Sequence, residues 1–216
     1  MERPWLKFYE EGVPHHIEYP RIPLYQILDD TAKNFPALDA VIFQGQRIKY
    51  GELAGWARDL ASGLHQIGIK KGQRVAIMLP NCPQYIVAYY AILKLGGVVV
   101  NVNPMYVERE LEFQLNDAGA QAIVALRDLL PRLEAVKEKI FLQTIILTDL
   151  DEHTRAAGGK APVQGPKPGI YEYAELLKKG KSQAPPLVSV DPDEVALLQY
   201  TGGTTGSPKG VMWRHE

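Results

Sequence analysis

The stretch RVAIMLPNCPQYIVAYYAILKLGGVVVNV, residues 74–102, predicts a strand, a helix and a second strand in direct succession. Residues 74–79 form a short apolar run, and residues 83–95 are apolar nearly all round, which indicates a buried helix. The β-branched run at residues 98–102 is typical of a strand that is covered on both faces. Strands that alternate with helices in this way predict right-handed crossovers and a mainly parallel sheet.

The same alternation continues on both sides of this stretch. The strongest helix signal lies at residues 50–67, where apolar residues recur at three- and four-residue steps along one face. Residues 151–169 are rich in Gly, Pro, Lys and Ala without periodicity, and we expect an exposed loop there. The other predicted elements are helices at residues 24–35, 108–118, 129–139 and 171–179, and strands at residues 40–43, 47–49, 121–126, 144–149 and 195–201.

We therefore predict an α/β fold with a mainly parallel sheet and flanking helices. Three sections of the chain are expected. Residues 1–23 mix proline, aromatic and charged residues and should form an extended arm laid on a surface. Residues 24–190 should form the α/β subdomain, and residues 191–216 should supply one more strand and a phosphate-binding loop.

Composition and charge narrow the class of protein. Lys and Arg number 24 against 25 Asp and Glu, a formal net charge of -1, whereas a nucleic-acid partner would require a basic patch. Cys82 is the only cysteine, which excludes a disulfide framework and a cysteine-rich zinc site within this chain. No apolar stretch approaches about 18 residues, and no basic segment precedes an apolar run at the N-terminus. These features favour a cytoplasmic protein without a nucleic-acid partner.

The segment YTGGTTGSPKG, residues 200–210, has the composition of a loop that grips phosphate. Its glycines accept positive φ, so successive backbone N–H groups can form an anion-binding concavity. Its hydroxyls can rotate to meet phosphate oxygens, and Lys209 adds a mobile positive charge. The residues expected to bind phosphate are Thr201, Gly202, Gly203, Thr204, Thr205, Gly206, Ser207, Lys209 and Gly210.

The sequence of this loop argues against a Walker A loop and against a flexible linker. A Walker A loop needs its lysine directly before Ser or Thr at the start of a helix, whereas Lys209 lies between Pro208 and Gly210. A flexible Gly/Thr linker rarely combines three glycines, three threonines and Pro-Lys-Gly after a strand. The loop should leave the carboxyl end of the strand at residues 195–201, where open α/β sheets bind ligands.

Residues 200–211 resemble the phosphate loop of the adenylate-forming enzymes, which include acyl-CoA synthetases, luciferases and peptide-synthetase adenylation domains. Residues 74–84 and 101–111 resemble bacterial and archaeal long-chain fatty acid CoA ligases in particular, as do residues 114–119 and the opening Arg-Pro-Trp-Leu. One departure is visible. The family usually has Leu-Thr-His after Gly-Val-Met, and here Trp-Arg-His follows, with His215 at the matching place.

The resemblance implies a two-step reaction with ATP, Mg²⁺ and coenzyme A. A fatty carboxylate attacks the α-phosphate of ATP to give acyl-adenylate and pyrophosphate, and the thiol of coenzyme A then displaces AMP. Lys209, Thr204, Thr205 and the glycine amides would hold the leaving phosphates, with Lys209 as the catalytic residue. Thr201 would lie near the magnesium. Peripheral contact with the inner face of the membrane and a homodimer stay open.

The family's remaining site segments lie further along than residue 216. They are the adenine wall, a Tyr-Gly-x-Thr-Glu segment, a ribose-binding Asp and a lysine on a mobile C-terminal domain. We therefore expect an N-terminal part of such an enzyme, inactive by itself. A ligase for medium-chain or 4-coumarate-like acids, and a noncatalytic nucleotide-binding module, are the alternatives.

Several conspicuous residues outside the loop are given ordinary roles. Cys82 is expected to be packed rather than nucleophilic. The turn at residues 103–106 either contacts ligand or only starts the next helix. The other expected roles are surface histidines at His15 and His16, core packing at Trp56, Tyr89 and Tyr90, and a solvated first helical turn at Glu108, Arg109 and Glu110.

Overall fold

The computed structural model describes residues 3–154, 167–201 and 208–215. Its strands are β1 (Asp39–Phe43), β2 (Gln46–Lys49), β3 (Arg74–Met78), β4 (Val98–Asn101), β5 (Ala122–Leu126), β6 (Thr144–Thr148), β7 (Ile170–Glu172), β8 (Val195–Thr201) and β9 (Lys209–Arg214). Its α-helices are α1 (Leu24–Asn34), α2 (Tyr50–Gln66), α3 (Pro83–Lys94), α4 (Glu108–Ala118), α5 (Leu130–Val136) and α6 (Tyr173–Gly180). Short 3-10 helices lie at Pro4–Phe8, Arg127–Leu129 and Lys137–Lys139.

A seven-stranded sheet in the order β7-β6-β5-β3-β4-β8-β9 organises the molecule. Every neighbouring pair is parallel except the last, in which β9 runs antiparallel to β8. Strands β1 and β2 form a separate antiparallel hairpin, turned at Gln44 and Gly45 with φ of 48° and 75°. The predicted α/β fold with a mainly parallel sheet is confirmed.

Helices cover both faces of the sheet because side chains alternate along each strand. In β3, Val75 and Ile77 join one buried cluster together with apolar residues of α2, α3 and α6. Ala76 and Met78 join a second cluster with residues of α4 and α5 on the opposite face. Burial on both faces explains why the central strands are continuous apolar runs.

Helices α2 and α6 approach each other backbone to backbone. A Cβ added at Gly63 of α2 would lie 2.3 Å from the carbonyl oxygen of Leu176. A Cβ added at Gly180 of α6 would lie 1.7 Å from the carbonyl oxygen of Asp59. Neither distance leaves room for a side-chain atom, so both glycines are needed for this helix pair.

Two strands were not foreseen from the sequence. The helix predicted from residue 171 begins at Tyr173, because the residues before it pair with β6 as β7. Lys209, which the sequence placed in the loop, is the first residue of β9. The helix predicted at residues 129–139 is also shorter, since 3-10 turns flank α5.

The exposed loop predicted at residues 151–169 is wrong at its start. Residues 151–154 are half-buried, and His153 stacks on Trp56. Residues 155–166 lie outside the described residues. The predicted extended arm contains the 3-10 helix Pro4–Phe8, although the arm is largely exposed as expected.

The predicted division of the chain after residues 23 and 190 stays a prediction. Strand β8, which follows the second boundary, pairs with β4 in the same sheet as the earlier strands. In the part of the chain that the structure describes, none of the helices has the length and apolar character needed to cross a membrane.

Candidate functional site

The candidate site lies where β8 ends and β9 begins. Thr201 is the last residue of β8, and Lys209, the first of β9, pairs with it directly. Because β8 is parallel to β4, Thr201 lies at the carboxyl edge of the sheet, where open α/β sheets bind ligands. The other predicted phosphate-binding residues, Gly202, Gly203, Thr204, Thr205, Gly206 and Ser207, lie outside the described residues.

The pairing of the two strands sets the direction of these side chains. Residues that lie directly opposite each other in an antiparallel pair project to the same face of the sheet. Thr201 and Lys209 therefore share one face, and both are exposed. The next pair, Tyr200 and Gly210, projects to the other face. A hydroxyl and a lysine thus stand side by side at the sheet edge.

A row of polar side chains leads to Thr201 along the same face. The Tyr85 hydroxyl of α3 donates to Asn101 Oδ1 at 2.7 Å, and Asn101 Nδ2 donates to Gln199 Oε1 at 2.7 Å. From the opposite face of the sheet, Gln114 Nε2 of α4 donates to the backbone carbonyl oxygen of Asn101 at 2.6 Å. These bonds fix the carboxyl ends of β4 and β8 relative to α3 and α4.

Sequence reasoning missed this row, although a signal existed. Asn101 and Gln199 are polar residues at the carboxyl ends of otherwise apolar strands. Polar groups that are buried between helices and a sheet require hydrogen-bond partners. The residues could have been selected on that ground, but their pairing joins positions 98 residues apart and is a tertiary fact.

His215 is buried directly after β9. Its Nδ1 accepts a hydrogen bond of 3.0 Å from the backbone N–H of Leu24, the first residue of α1. Burial lowers the pKa of His215, which favours the neutral imidazole that this bond needs. The side chain therefore caps α1 and ties the end of β9 to that helix.

A cavity of about 780 Å³ opens elsewhere along the carboxyl edge, beyond the ends of β5, β6 and β7. At its wall Arg127 Nε donates to Asp149 at 2.9 Å, and both terminal nitrogens of Arg127 donate to Glu172 at 3.0 and 2.6 Å. Trp56 lines this cavity and stacks on His153, with ring centroids 4.1 Å apart. The expected core packing of Trp56 is confirmed, because the residue packs against the buried cluster that contains α2, α3 and α6, although it also lines the cavity.

Two ionisable groups in this wall are shifted by burial. Burial raises the pKa of Glu152 to about 7, although its oxygen accepts a hydrogen bond from the Thr148 hydroxyl at 2.5 Å. Burial also lowers the pKa of His153 to about 4, and its Nε2 lies 3.0 Å from the Tyr173 oxygen. Both groups are held towards their neutral forms.

The two shifts predict opposite dependences of stability on pH. Glu152 binds its proton more tightly in the folded protein than in the unfolded one. Its contribution to the free energy of unfolding is therefore complete below about pH 4.5 and is lost as pH rises through about 7. The contribution of His153 is full above pH 6.5 and is lost as pH falls through about 4. As pH rises from 5 to 8, wild type should lose this contribution while Glu152→Gln, which has no ionisable group there, should not. The free energy of unfolding of the variant should therefore rise by roughly 2 kcal/mol relative to wild type over this range.

Urea unfolding of Glu152→Gln and of wild type at pH 5 and at pH 8 measures this change in the difference between their unfolding free energies. Glu175→Gln, which removes an exposed carboxylate from the rim of the same cavity, is the matched control. A gain of the same size in both variants would contradict the assignment of the effect to Glu152.

The other residues that stand out in the sequence occupy packed, turn or exposed positions. Cys82 is buried, and burial raises the pKa of its thiol, which fits a packing role. Asn103 Oδ1 accepts from the N–H of Met105, and Arg132 donates to the Pro104 and Tyr106 carbonyl oxygens, so this segment forms a turn before α4, while its contact with a ligand stays a prediction. Exposed side chains are found at His15, His16, Glu108, Arg109 and Glu110, and half-buried core contacts at Tyr89 and Tyr90, as expected.

The chain matches a known protein family and is similar to known enzymes. The family model described as AMP-binding enzyme matches residues 28–216. The chain is 37% identical over 226 residues to a long-chain-fatty-acid–CoA ligase of Bacillus subtilis, with 100% of this chain and 40% of that protein covered. A long-chain-fatty-acid–CoA ligase of Salmonella typhimurium is also 37% identical, with 100% and 41% covered. The chain thus spans about two fifths of the length of these curated relatives.

The fold is also similar to solved structures of CoA ligases. The long-chain-fatty-acid-CoA ligase FadD1 from Archaeoglobus fulgidus superposes with a TM-score of 0.79 at 31% identity, covering 96% of this chain and 39% of that one. The anthranilate CoA ligase AuaEII superposes with a TM-score of 0.76 at 19% identity, covering 91% and 36%. The second likeness is one of fold alone.

Proposed function

Because this chain belongs to the AMP-binding enzyme family, we propose that it is part of an ATP-dependent ligase that joins a long-chain fatty acid to coenzyme A. Thr201 and Lys209 carry the proposal, since they stand side by side on one face at the carboxyl edge of the sheet. A loop with three glycines and three hydroxyl residues joins them in the sequence. This placement suits a polyphosphate, which needs backbone N–H donors and a nearby cation.

The proposed reaction has two steps. A carboxylate oxygen of the fatty acid attacks the α-phosphorus of ATP, and the bond from that phosphorus to the bridging oxygen of pyrophosphate breaks. The sulfur of coenzyme A then attacks the acyl carbon, the thiol proton is released, and AMP leaves. Lys209 would balance the charge that grows on the departing pyrophosphate, while the loop amides hold it in line.

Magnesium is the metal proposed for this site, with Thr201 as the protein ligand. Mg²⁺ prefers oxygen ligands and commonly combines a few protein oxygens with substrate phosphates and water. The Thr201 side chain is exposed at the sheet edge, so its hydroxyl can serve in this way. Within residues 3–154, 167–201 and 208–215, no group of three or more His, Cys, Asp or Glu side chains could hold a metal by itself. Bound magnesium would supply charge neutralisation of the phosphates.

The acyl substrate is proposed from the relatives that carry long-chain-fatty-acid–CoA ligase names. A medium-chain or 4-coumarate-like acid is the second candidate, and the likeness to the anthranilate CoA ligase AuaEII, at 19% identity, bears on the fold alone. We also propose that the protein works in the cytoplasm, with the inner face of the membrane and a second copy as optional contacts.

Pyrophosphate exchange by the intact ligase, run against a panel of acids, tests this function. We expect long-chain fatty acids to support exchange best, and medium-chain and hydroxycinnamic acids to support it poorly. Exchange with 4-coumarate alone would move the protein to the second candidate. Tight ATP binding without exchange for any acid would instead favour a noncatalytic nucleotide-binding module.

A further inference from the structure

We propose that Tyr200 and Asp117 form a positioning pair that holds the base of the phosphate loop in place and so sets the affinity for ATP. This inference rests on the proposed function of the loop. Tyr200 is the residue before Thr201 and projects to the opposite face of the sheet from Thr201 and Lys209. It therefore acts through the backbone of β8 and β9 rather than by contact with phosphate.

The first contact of the pair is a hydrogen bond between distant parts of the chain. The Tyr200 hydroxyl donates to Asp117 Oδ2 at 2.5 Å. Asp117 lies in the last turn of α4, and that helix packs on the sheet through Leu111 and Leu115. Since a hydrogen bond to a carboxylate is stronger than one between neutral groups, this bond anchors the end of β8 to a fixed helix.

The second contact is between the Tyr200 ring and β9. Gly210 is the direct partner of Tyr200 in the strand pair, and a Cβ there would lie 3.1 Å from Tyr200 Cζ and 3.3 Å from its oxygen. The backbone of β9 at Gly210 therefore packs directly against the Tyr200 ring. Because Lys209 is the adjacent residue, a displaced ring would shift the lysine as well.

The protonation state of Tyr200 supports this role. Burial, the hydrogen bond to Asp117 and the charge of Asp117 all raise the pKa of Tyr200, against a smaller opposite effect of Arg74. The phenol therefore remains protonated at neutral pH and keeps its role as donor. A phenylalanine at this position would keep the aromatic ring against β9 and lose only the hydrogen bond to Asp117.

The test uses the intact ligase and four substitutions. In pyrophosphate exchange with saturating fatty acid, Tyr200→Phe and Asp117→Ala are each expected to raise KM for ATP about five- to tenfold, with kcat changed much less. Asp117→Asn keeps an oxygen acceptor and should stay within about twofold of wild type. Tyr171→Phe, which removes the hydroxyl of a half-buried tyrosine in β7 at the far edge of the sheet, should leave KM for ATP unchanged.

A double variant separates a pair from two independent residues. Tyr200→Phe combined with Asp117→Ala should raise KM no further than either single change, because both remove the same bond. If the increase in KM for ATP in the double variant equals the product of the two single increases, the residues act independently and the positioning pair is contradicted. An unchanged KM for ATP in Tyr200→Phe, whether or not its thermal midpoint falls, would overturn the positioning role.

Lys209→Ala distinguishes failure of this inference from failure of the proposed function. If Lys209→Ala abolishes exchange while Tyr200→Phe leaves KM for ATP unchanged, only the positioning pair is wrong. If Lys209→Ala leaves exchange unchanged, the phosphate-binding function of the loop is wrong, and the positioning pair fails with it.

Discussion

Replacing Lys209 with alanine is expected to lower the rate of acid-dependent pyrophosphate exchange by about 100- to 1000-fold in the proposed ligase, assayed as the intact protein. Loss of one charge-stabilising donor from a preorganised site typically costs about that factor. Lys209 starts β9, so its Cα is fixed by pairing with Thr201, while its side chain is exposed at the sheet edge. The variant should fold normally because the side chain makes no contribution to the core.

Arg214→Ala is the matched control for Lys209→Ala. Arg214 is an exposed cation on the same strand, but it ends β9 and pairs with Asp193 at 3.2 Å. Its removal should leave exchange within about twofold of wild type, because an exposed ion pair contributes little. Equal losses in the two variants, or retention of exchange in Lys209→Ala, would contradict the role of Lys209. Lys209→Arg should recover only part of the activity, since a guanidinium presents its charge in a different shape.

Gly63→Ala is expected to destabilise the fold by about 3 kcal/mol. The added methyl group would lie 2.3 Å from the Leu176 oxygen and 2.8 Å from its carbonyl carbon. Because both atoms belong to the backbone of α6, no side-chain rotation can relieve the contact, and the two helices must move apart. The intrinsic preference of alanine for helix offsets only about 1 kcal/mol of this cost.

Gly55→Ala in the same helix separates the helix preference from the contact. Apart from the neighbouring residues and backbone of α2 itself, no heavy atom lies within 4 Å of a Cβ built at Gly55, so this change should be neutral or stabilising by up to about 1 kcal/mol. Urea unfolding of both variants gives the comparison. Similar unfolding free energies for Gly63→Ala and Gly55→Ala would show that the two helices do not meet closely at Gly63.

Much of the architecture could be predicted from local patterns. Residues 74–102 alone contain the strand–helix–strand unit that places β3 beside β4, and the predicted strand at residues 195–201 coincides with β8. The resemblance inferred from residues 200–211 is confirmed by the match to the AMP-binding enzyme family. The phosphate-binding roles of Thr201, Lys209 and the residues between them remain proposals.

The two strands that were not predicted give weak local signals. β7 has three residues, too few for a periodic signal, and forms because β6 offers it a parallel edge. β9 follows Pro208 and contains Gly210, both poor strand residues, and forms because β8 offers hydrogen-bond partners. The prediction of an exposed loop is wrong at His153 for a similar reason, because its stacking partner Trp56 is distant in the sequence.

Local sequence patterns are sufficient to predict the α/β class, the central strands and the glycine- and threonine-rich segment at residues 200–210, because each depends on residues only a few positions apart. Only the folded chain shows that Lys209 belongs to a strand opposite Thr201, that Asn101 donates to Gln199, and that Asp117 accepts from Tyr200. The last of these contacts joins positions 83 residues apart. Such pairings form only after the chain has folded back on itself, and their hydrogen bonds leave no period or spacing in the sequence.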